Sequence, residues 1–166
     1  MNGLSQKIKN AEVMILDFDG VMTDNRVLVL ENGQEGVFCH RGDGLGIEML
    51  NKTGFETFVI SREINPVVSV RCRKLGIECW QGIDKKEDIL KRETEKRGFS
   101  PDQVIYIGND LNDLECLKIA GLKVAVADSE KTVLEIADYV TKKKGGLGAV
   151  REICDLILKH KYNREF

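Results

Sequence analysis

Hydrophobic and polar residues follow one another in blocks that indicate short buried strands separated by amphipathic helices. Six segments are rich in apolar and β-branched residues: 12–17, 56–61, 76–80, 103–108, 123–127 and 139–141. Between them, apolar residues recur at helical spacing over 44–54, 65–76, 85–98, 110–121 and 130–137. Strands that form continuous apolar runs are typical of sheets buried on both faces. The pattern therefore predicts an α/β fold, a Rossmann-like parallel sheet with helices on both faces.

Two segments depart from this alternation. Residues 26–40 predict a β-hairpin insertion that turns at Asn32 and Gly33, because an Asn-Gly pair between apolar runs favours a tight turn. Residues 1–12 are interpreted as a short amphipathic lead-in to the first strand. No internal repeat or linker interrupts the 166 residues, so we expect a single domain over 1–166.

The composition excludes several classes of protein. The chain has 25 Lys and Arg against 27 Asp and Glu without a long block of either sign, so no nucleic-acid partner is expected. Its five cysteines are scattered without a Cys-x-x-Cys pair, which favours reduced thiols and a cytoplasmic location over a disulfide framework. No apolar run reaches the roughly 20 residues of a membrane span, and the first residues do not resemble a signal peptide. We therefore predict no membrane association.

Polar residues follow the predicted strands at the points where these end. The first strand ends in "LDFDG", the second main strand ends in Ser61, and the fourth is followed by "NDLND". Because ligands bind outside the carboxyl ends of the strands in an open parallel sheet, we expect these residues to converge at one edge. Clustered carboxylates that would repel one another are explained if Mg²⁺, which takes hard oxygen ligands and substrate phosphates, binds among them. An isolated Asp-x-Asp is usually a turn or a cap, but that reading does not account for both clusters.

The same residues resemble the four motifs of the haloacid dehalogenase-like (HAD) phosphatases. "DFDGVMTD" is similar to the first motif, "VIS" to the second, Lys86 to the third and "IGNDLND" to the fourth. Further stretches, "GDGLGIEML", "NPVVSVRCRKLGIECWQGIDKK" and "KKGGLGAVREICDLIL", resemble the 3-deoxy-D-manno-octulosonate 8-phosphate phosphatase family. Within that family the chain most resembles the phosphatase-like domain that accompanies bacterial acylneuraminate cytidylyltransferases. The resemblance covers nearly the whole chain and implies a HAD-like fold.

The resemblance also implies catalytic roles for four residues. Asp17 would be the nucleophile that forms an aspartyl-phosphate. Asp19 would protonate the leaving alkoxide and then deprotonate the attacking water. Ser61 would donate a hydrogen bond to the phosphoryl oxygens, and Lys86 would place a cation beside them. In "GIDKK" either Lys85 or Lys86 could reach the phosphate, but the spacing to the flanking glycines matches the family at Lys86.

The implied cofactor is Mg²⁺, bound by Asp17, by the backbone carbonyl of Asp19 and by a residue of the fourth motif. The family usually has two aspartates after the glycine of that motif, whereas this chain has Asn109 and Asp110. An asparagine carbonyl can bind Mg²⁺ but adds no charge, so a weaker metal site is expected unless Asp110 or Asp113 compensates. Which residue completes the site stays open at this point.

Four further residues are predicted to contact the substrate: Gly20, Arg41, Arg62 and Asp113. For each arginine, an ordinary surface charge is the alternative.

The spacing of the motifs leaves no room for a cap domain. Thirty-six residues separate Asp24 from Ser61 and 47 separate Ser61 from Asn109, and predicted strands and helices fill both gaps. The resemblance implies a homotetramer in which the hairpins associate and a neighbouring subunit covers the active site. The apolar "VLVL" of the hairpin agrees with an interface, because an isolated hairpin is marginally stable in water.

These observations predict a Mg²⁺-dependent phosphomonoesterase that acts on an acidic 2-keto-3-deoxy sugar phosphate. Octulosonate 8-phosphate and a nonulosonate or neuraminate 9-phosphate are both candidates, so lipopolysaccharide and sialic acid pathways are both open. The alternative is a weakly active or non-catalytic oligomerisation module that supports an acylneuraminate cytidylyltransferase. The alternative is disfavoured by the four intact residues Asp17, Asp19, Ser61 and Lys86. A receiver-type signalling domain is less expected, because no aspartate ends the 56–61 segment.

Overall fold

Eight strands form two separate sheets in the computed structural model, which describes residues 2–164. The strands are β1 Val13–Leu16, β2 Thr23–Val29, β3 Glu35–Cys39, β4 Glu56–Ile60, β5 Glu78–Trp80, β6 Val104–Gly108, β7 Leu122–Ala125 and β8 Tyr139–Val140. The helices are α1 Asn2–Asn10, α2 Arg41–Asn51, α3 Val67–Leu75, α4 Lys86–Arg97, α5 Leu114–Ile119, α6 Lys131–Ile136 and α7 Ala149–Tyr162. Strands β2 and β3 pair as an antiparallel hairpin, and the other six form the main sheet.

The main sheet is parallel and has the order β5-β4-β1-β6-β7-β8. Strand β1 lies in the middle, with Val13 opposite Glu56 of β4 on one side and Val104 of β6 on the other. The chain moves outward in opposite directions from β1, so the strand order reverses between β1 and β6. Ligands bind at such a reversal, outside the carboxyl ends of the strands. The predicted Rossmann-like α/β fold is confirmed.

Both faces of the sheet are covered, which explains why its strands are apolar without alternation. Every residue of β1 is buried. Met14 and Leu16 pack in one apolar cluster with side chains of α1, α2, α3 and α7. Val13 and Ile15 pack in the opposite cluster, with side chains of α4, α5 and α6. The sheet is therefore rigid around the strand ends where the polar motifs lie.

Two predicted elements differ in the structure. The lead-in before β1 is a helix, α1, which packs against α7. The helix expected over 110–121 is divided into a 3-10 turn, Leu111–Asp113, and the short α5. The turn arises because the carboxylate of Asp113 accepts hydrogen bonds from the backbone N–H groups of residues 109 and 110, which draws the chain into a tight bend.

The hairpin begins at Thr23 rather than at residue 26, and its turn lies at the predicted glycine, since Gly33 has a φ of +80°. Within residues 2–164, the two gaps between the motifs hold only the hairpin and elements of the main sheet and its helices, with no cap domain. No helix in this range has the length and apolar character needed to cross a membrane.

A buried carboxylate joins two helices of one layer. Asp43, in the first turn of α2, accepts a hydrogen bond at 2.8 Å from the backbone N–H of Arg151, in the first turn of α7. Its other oxygen, Oδ2, is buried and has no hydrogen-bond partner among the described residues. Burial raises the pKa of Asp43 to about 6, although the bond from Arg151 lowers it. The ionised carboxylate is therefore poorly solvated.

We predict that Asp43→Asn stabilises the protein at high pH. The pKa of Asp43 exceeds the value of about 3.9 of an unfolded chain, so its stabilising contribution is complete below about pH 4 and is lost as the pH rises through about 6. Since asparagine cannot ionise and can still accept the Arg151 bond, the free energy of unfolding should rise by about 2 kcal/mol at pH 8 and hardly change at pH 4. Urea denaturation at both pH values measures this.

The matched control is Asp88→Asn, which changes an exposed carboxylate in the first turn of α4. It should alter stability by less than about 0.5 kcal/mol at either pH. An equal effect of Asp43→Asn at pH 4 and pH 8 would contradict the assignment of a raised pKa.

Candidate active site

A buried lysine joins two carboxylates beneath the carboxyl edge of the sheet. Asp17 follows β1 directly and Lys86 is the first residue of α4. The Nζ atom of Lys86 lies 2.8 Å from Oδ2 of Asp17 and 2.9 Å from Oδ1 of Asp113. The backbone N–H of Phe18 donates to Oδ1 of Asp17 at 2.6 Å. Asp17 is 4% exposed and Lys86 is 1% exposed, so water screens these charges very little.

Asp113 orients the lysine and has no contact with solvent. Its Oδ1 also accepts a hydrogen bond from the Tyr106 hydroxyl at 2.7 Å, and its Oδ2 accepts one from the N–H of Asn109 at 2.9 Å. Asp113 is 0% exposed and is not among the residues that line the pocket described below. Its hydrogen bonds and its ion pair are all made to other groups of the protein. Asp113 therefore holds Lys86 and the loop after β6 in position.

Burial governs the charges of this group. The pKa of Asp17 is raised to about 7, chiefly by burial and further by the nearby charge of Asp113, while Lys86 opposes the shift. Burial lowers the pKa of Lys86, but Asp17 and Asp113 outweigh that effect and hold it above its usual value. The lysine is therefore a permanent cation, and a further cation beside Asp17 would favour its ionised form.

Asp19 belongs to the tight turn that follows β1. Its Oδ1 accepts a hydrogen bond from the Thr23 hydroxyl at 3.4 Å, and that hydroxyl oxygen accepts one from the N–H of Gly20 at 3.1 Å. Burial and the charge of Glu63 raise the pKa of Asp19. Gly20 has a φ of +80°, and a Cβ there would lie 2.1 Å from Nδ2 of Asn109. Gly20 therefore permits close packing against Asn109.

A glycine loop holds this turn in place. A Cβ on Gly145 would lie 1.8 Å from the carbonyl oxygen of Gly20, so the two backbones touch. The N–H of Gly145 donates to Asp128 at 3.0 Å, and the N–H of Gly146 donates to the carbonyl of Val21 at 3.0 Å. The "KKGGLG" segment thus supports the turn through backbone contacts.

A pocket of about 450 Å³ opens above these residues. It is lined by Asp17, Asp19, Asn25, Ser61, Arg62, Glu63, Ile64, Asp84, Asn109, Asp110 and Asn112. The residues that follow β1, β4 and β6 thus converge at one edge of the sheet, as expected from the sequence. Asn25 and Asn112 were not predicted, although each lies within or directly after a recognised motif, and their position next to those motifs was the available signal.

The four predicted substrate contacts have different positions. Arg62 lines the pocket, and its guanidinium Nη2 atom lies 3.7 Å from Oδ1 of the exposed Asp84. Arg41 is an exposed first residue of α2 and does not line the pocket. Gly20 and Asp113 lie beneath it. The structure thus brings one of the four residues, Arg62, to the pocket wall.

A cavity of similar size at the opposite end of β4, about 410 Å³, has less suitable chemistry. Its guanidinium, Arg97, is already paired with Glu56 at 2.9 Å and with Glu78 at 3.0 Å, and it stacks on Phe58. Chemistry, and not cavity volume, therefore identifies the pocket above Asp17 as the candidate active site.

The donors at the pocket fit a magnesium ion. The side-chain Oδ1 of Asn109 is buried without a hydrogen-bond partner among the described residues, although such an atom normally has one. Asp110 is less available as a metal ligand, because its Oδ1 already accepts a hydrogen bond from the N–H of Leu111 at 2.6 Å. No group of three or more His, Cys, Asp or Glu side chains in residues 2–164 has metal-binding geometry, so amide and backbone oxygens would have to contribute. These features favour Asn109 over Asp110.

We predict that Lys86→Met strongly destabilises the protein, whereas Lys85→Met does not. Removing Lys86 leaves two buried carboxylates without their cation, which should lower the free energy of unfolding by roughly 3 kcal/mol. Lys85 is exposed, so its replacement should change the free energy of unfolding by less than about 0.5 kcal/mol. Urea denaturation of both variants measures the difference, and equal stabilities would contradict the buried pairing.

Comparisons with known proteins show which family this chain resembles. Residues 77–153 match the haloacid dehalogenase-like hydrolase family. The chain is 39% identical over 153 residues to the 3-deoxy-D-manno-octulosonate 8-phosphate phosphatase of Escherichia coli K12, covering 92% of this chain and 81% of that protein.

Two solved structures carry the same comparison further. The enzyme of that name from Moraxella catarrhalis, in complex with a magnesium ion, a phosphate ion and a KDO molecule, is 35% identical with a TM-score of 0.95, over 98% of this chain and 94% of that one. The cobalt-bound phosphatase of Haemophilus influenzae is 35% identical with a TM-score of 0.90, over 95% and 92% of the two chains. The chain therefore belongs to the 3-deoxy-D-manno-octulosonate 8-phosphate phosphatase family of HAD-like hydrolases and is a phosphatase.

Proposed function

We propose that this phosphatase removes the phosphate from an acidic 2-keto-3-deoxy sugar phosphate in a Mg²⁺-dependent reaction. Octulosonate 8-phosphate, the compound in the names of its relatives, is the first candidate, and a nonulosonate or neuraminate 9-phosphate is the second. The observation that carries the proposal is the buried pair of Asp17 and Lys86, because Asp17 lines the same pocket as Asp19 and Ser61.

In the proposed mechanism Asp17 attacks phosphorus. A bond forms between a carboxylate oxygen of Asp17 and phosphorus, and the bond from phosphorus to the sugar oxygen breaks to give an aspartyl-phosphate. Asp19 donates a proton to the departing sugar oxygen and then accepts one from the water that hydrolyses the acyl phosphate. The Thr23 hydroxyl holds the Asp19 carboxylate in place for both steps.

Lys86 and Ser61 stabilise the negative charge of the phosphoryl group. Lys86 is held on Asp17 and Asp113, so its charge needs no rearrangement during the reaction. The Ser61 oxygen accepts the backbone N–H of Glu63 at 3.0 Å, which leaves its own hydroxyl proton available for a phosphoryl oxygen. Arg62, on the pocket wall, is suited to the carboxylate of a sugar acid.

Asp17, the backbone carbonyl of Asp19 and Oδ1 of Asn109 would hold Mg²⁺. A bound Mg²⁺ supplies positive charge that offsets the repulsion between the anionic nucleophile and the anionic phosphate. Two observations support this assignment: Oδ1 of Asn109 has no hydrogen-bond partner in the described part of the chain, and the Moraxella catarrhalis relative binds a magnesium ion and a phosphate ion. Because asparagine adds no charge, we expect weaker metal binding than an aspartate would give.

The neutral Asn109 is the observation that favours a second candidate function. A weakly active or non-catalytic oligomerisation module that supports an acylneuraminate cytidylyltransferase would tolerate a weakened metal site. The buried charges of Asp17, Lys86 and Asp113 disfavour that function, because a purely structural module has no need of such a costly arrangement.

The hairpin supports a further proposal, a homotetramer in which hairpins associate and a neighbouring subunit covers the pocket. Several of its large apolar side chains are exposed: Val27 54%, Leu28 54%, Val29 62%, Leu30 45% and Phe38 68%. Exposed apolar surface on this scale marks interaction sites. The single domain over 1–166 and the cytoplasmic location stay predictions.

We predict that the wild-type protein releases phosphate from one acid of a panel containing octulosonate 8-phosphate, neuraminate 9-phosphate and hexose phosphates, with Mg²⁺ but not with EDTA. Asp17→Asn should abolish release, because the amide cannot form the acyl phosphate, while the protein keeps its fold and mass. Phosphate release is measured by colorimetric assay.

Turnover by Asp17→Asn would contradict the mechanism. A folded wild-type oligomer that binds Mg²⁺ but hydrolyses no member of the panel would favour the oligomerisation module, which co-purification with a cytidylyltransferase would then test.

We predict that Phe38→Glu lowers the molecular mass measured by size-exclusion chromatography with light scattering. A charge on the exposed apolar face of the hairpin should disrupt association between subunits. The control is Val140→Glu, which places the same charge on the edge strand β8 of the main sheet, where the side chain is 42% exposed. An unchanged tetramer mass for Phe38→Glu, or a monomeric wild-type protein, would contradict the proposed interface.

A further inference from the structure

Asn25 has an unusual backbone conformation at the mouth of the pocket. Its φ is +62°, in the left-handed region that non-glycine residues rarely adopt, and Asn163 is the other such residue among the described ones. The pairing of β2 with β3 shifts register between Thr23 and Val27, across Asn25. Irregularities of this kind commonly redirect a side chain next to an active site. Asn25 lies on the pocket wall.

The position of Asn25 is fixed relative to the catalytic turn. Its backbone N–H donates to the Thr23 hydroxyl at 3.2 Å. The same hydroxyl oxygen accepts the N–H of Gly20 at 3.1 Å and contacts Oδ1 of Asp19 at 3.4 Å. One side chain therefore connects Asn25 to the residue proposed as the general acid, so the two cannot shift independently.

The chemistry of the pocket leaves few groups that can bind an acidic sugar. Five of its lining residues are acids: Asp17, Asp19, Glu63, Asp84 and Asp110. Donors are needed for a substrate carboxylate or for hydroxyl oxygens, and Arg62, the cation on this wall, is partly engaged with Asp84. An asparagine amide can donate without adding to the charge of the wall. Glycine would suit the backbone of position 25 better, but it would bring no donor.

We propose that Asn25 is a specificity-determining residue whose side-chain amide contacts the carboxylate or a hydroxyl of the sugar acid, away from the phosphate. This inference rests on the proposed function, because it assumes that the pocket binds an acidic sugar phosphate. Loss of a catalytic residue should slow the hydrolysis of every phosphate ester. Loss of the Asn25 side chain should slow only the hydrolysis of esters that contain a sugar acid.

The test compares Asn25→Gly with the wild type on two substrates, the sugar acid phosphate that the wild type hydrolyses and p-nitrophenyl phosphate. Glycine accepts the left-handed backbone, so the melting temperature should not fall. For the sugar acid phosphate, kcat/KM should fall about tenfold, mostly through KM, as expected for the loss of one hydrogen bond. For p-nitrophenyl phosphate, kcat/KM should stay within about twofold.

Asn163→Gly provides the matched control, because it makes the same substitution at a φ of +53° at the end of α7, outside the residues that line the pocket. It should leave kcat/KM for both substrates unchanged. An unchanged KM of Asn25→Gly for the sugar acid phosphate would overturn the inference while the phosphatase function stands. An equal loss on both substrates would overturn it too, by assigning Asn25 to the shape of the catalytic turn. A wild type inactive on every ester would overturn the proposed function and this inference together.

Discussion

The buried contact between Lys86, Asp17 and Asp113 is the constraint on which the rest of the site depends. Two carboxylates and one ammonium group lie at the sheet edge with at most 4% exposure. Such a group is stable only if every charge is paired and hydrogen-bonded, since an unpaired charge in this position costs several kcal/mol. The hydroxyl of Tyr106 and the backbone N–H groups after β6 meet that requirement. The start of α4, the end of β6 and the end of β1 are thereby held together.

This arrangement leaves an excess of negative charge, which shapes the pocket above it. The lysine balances one of its two partners, and further acids line the wall. A phosphate dianion could not approach such a surface unless cations and neutral donors were supplied. Asn109, whose Oδ1 has no hydrogen-bond partner within residues 2–164, and Asn25 both line this pocket as neutral residues.

Much of the site could be predicted because a parallel sheet brings its strand ends to one edge. Asp17, Ser61 and Asn109 converge for that reason, and the apolar runs indicated the strands that carry them. The remaining features depend on contacts between distant parts of the chain. Nothing in the local sequence shows that Asp113 turns inward or that Asp43 caps a helix more than a hundred residues later. The spacing of the third motif favoured Lys86 over Lys85, but only the structure shows that Lys86 is buried whereas Lys85 is exposed.

The packing of Gly145 and Gly146 on the turn after β1 has a consequence for the order in which the site is completed during synthesis. The turn carries Asp19 near the beginning of the chain, yet the loop that supports it comes more than 120 residues later. Contacts of such large sequence separation form late, since the intervening chain must first be ordered. A nascent chain on the ribosome would therefore contain Asp17 and Asp19 long before the loop that supports their turn has been made.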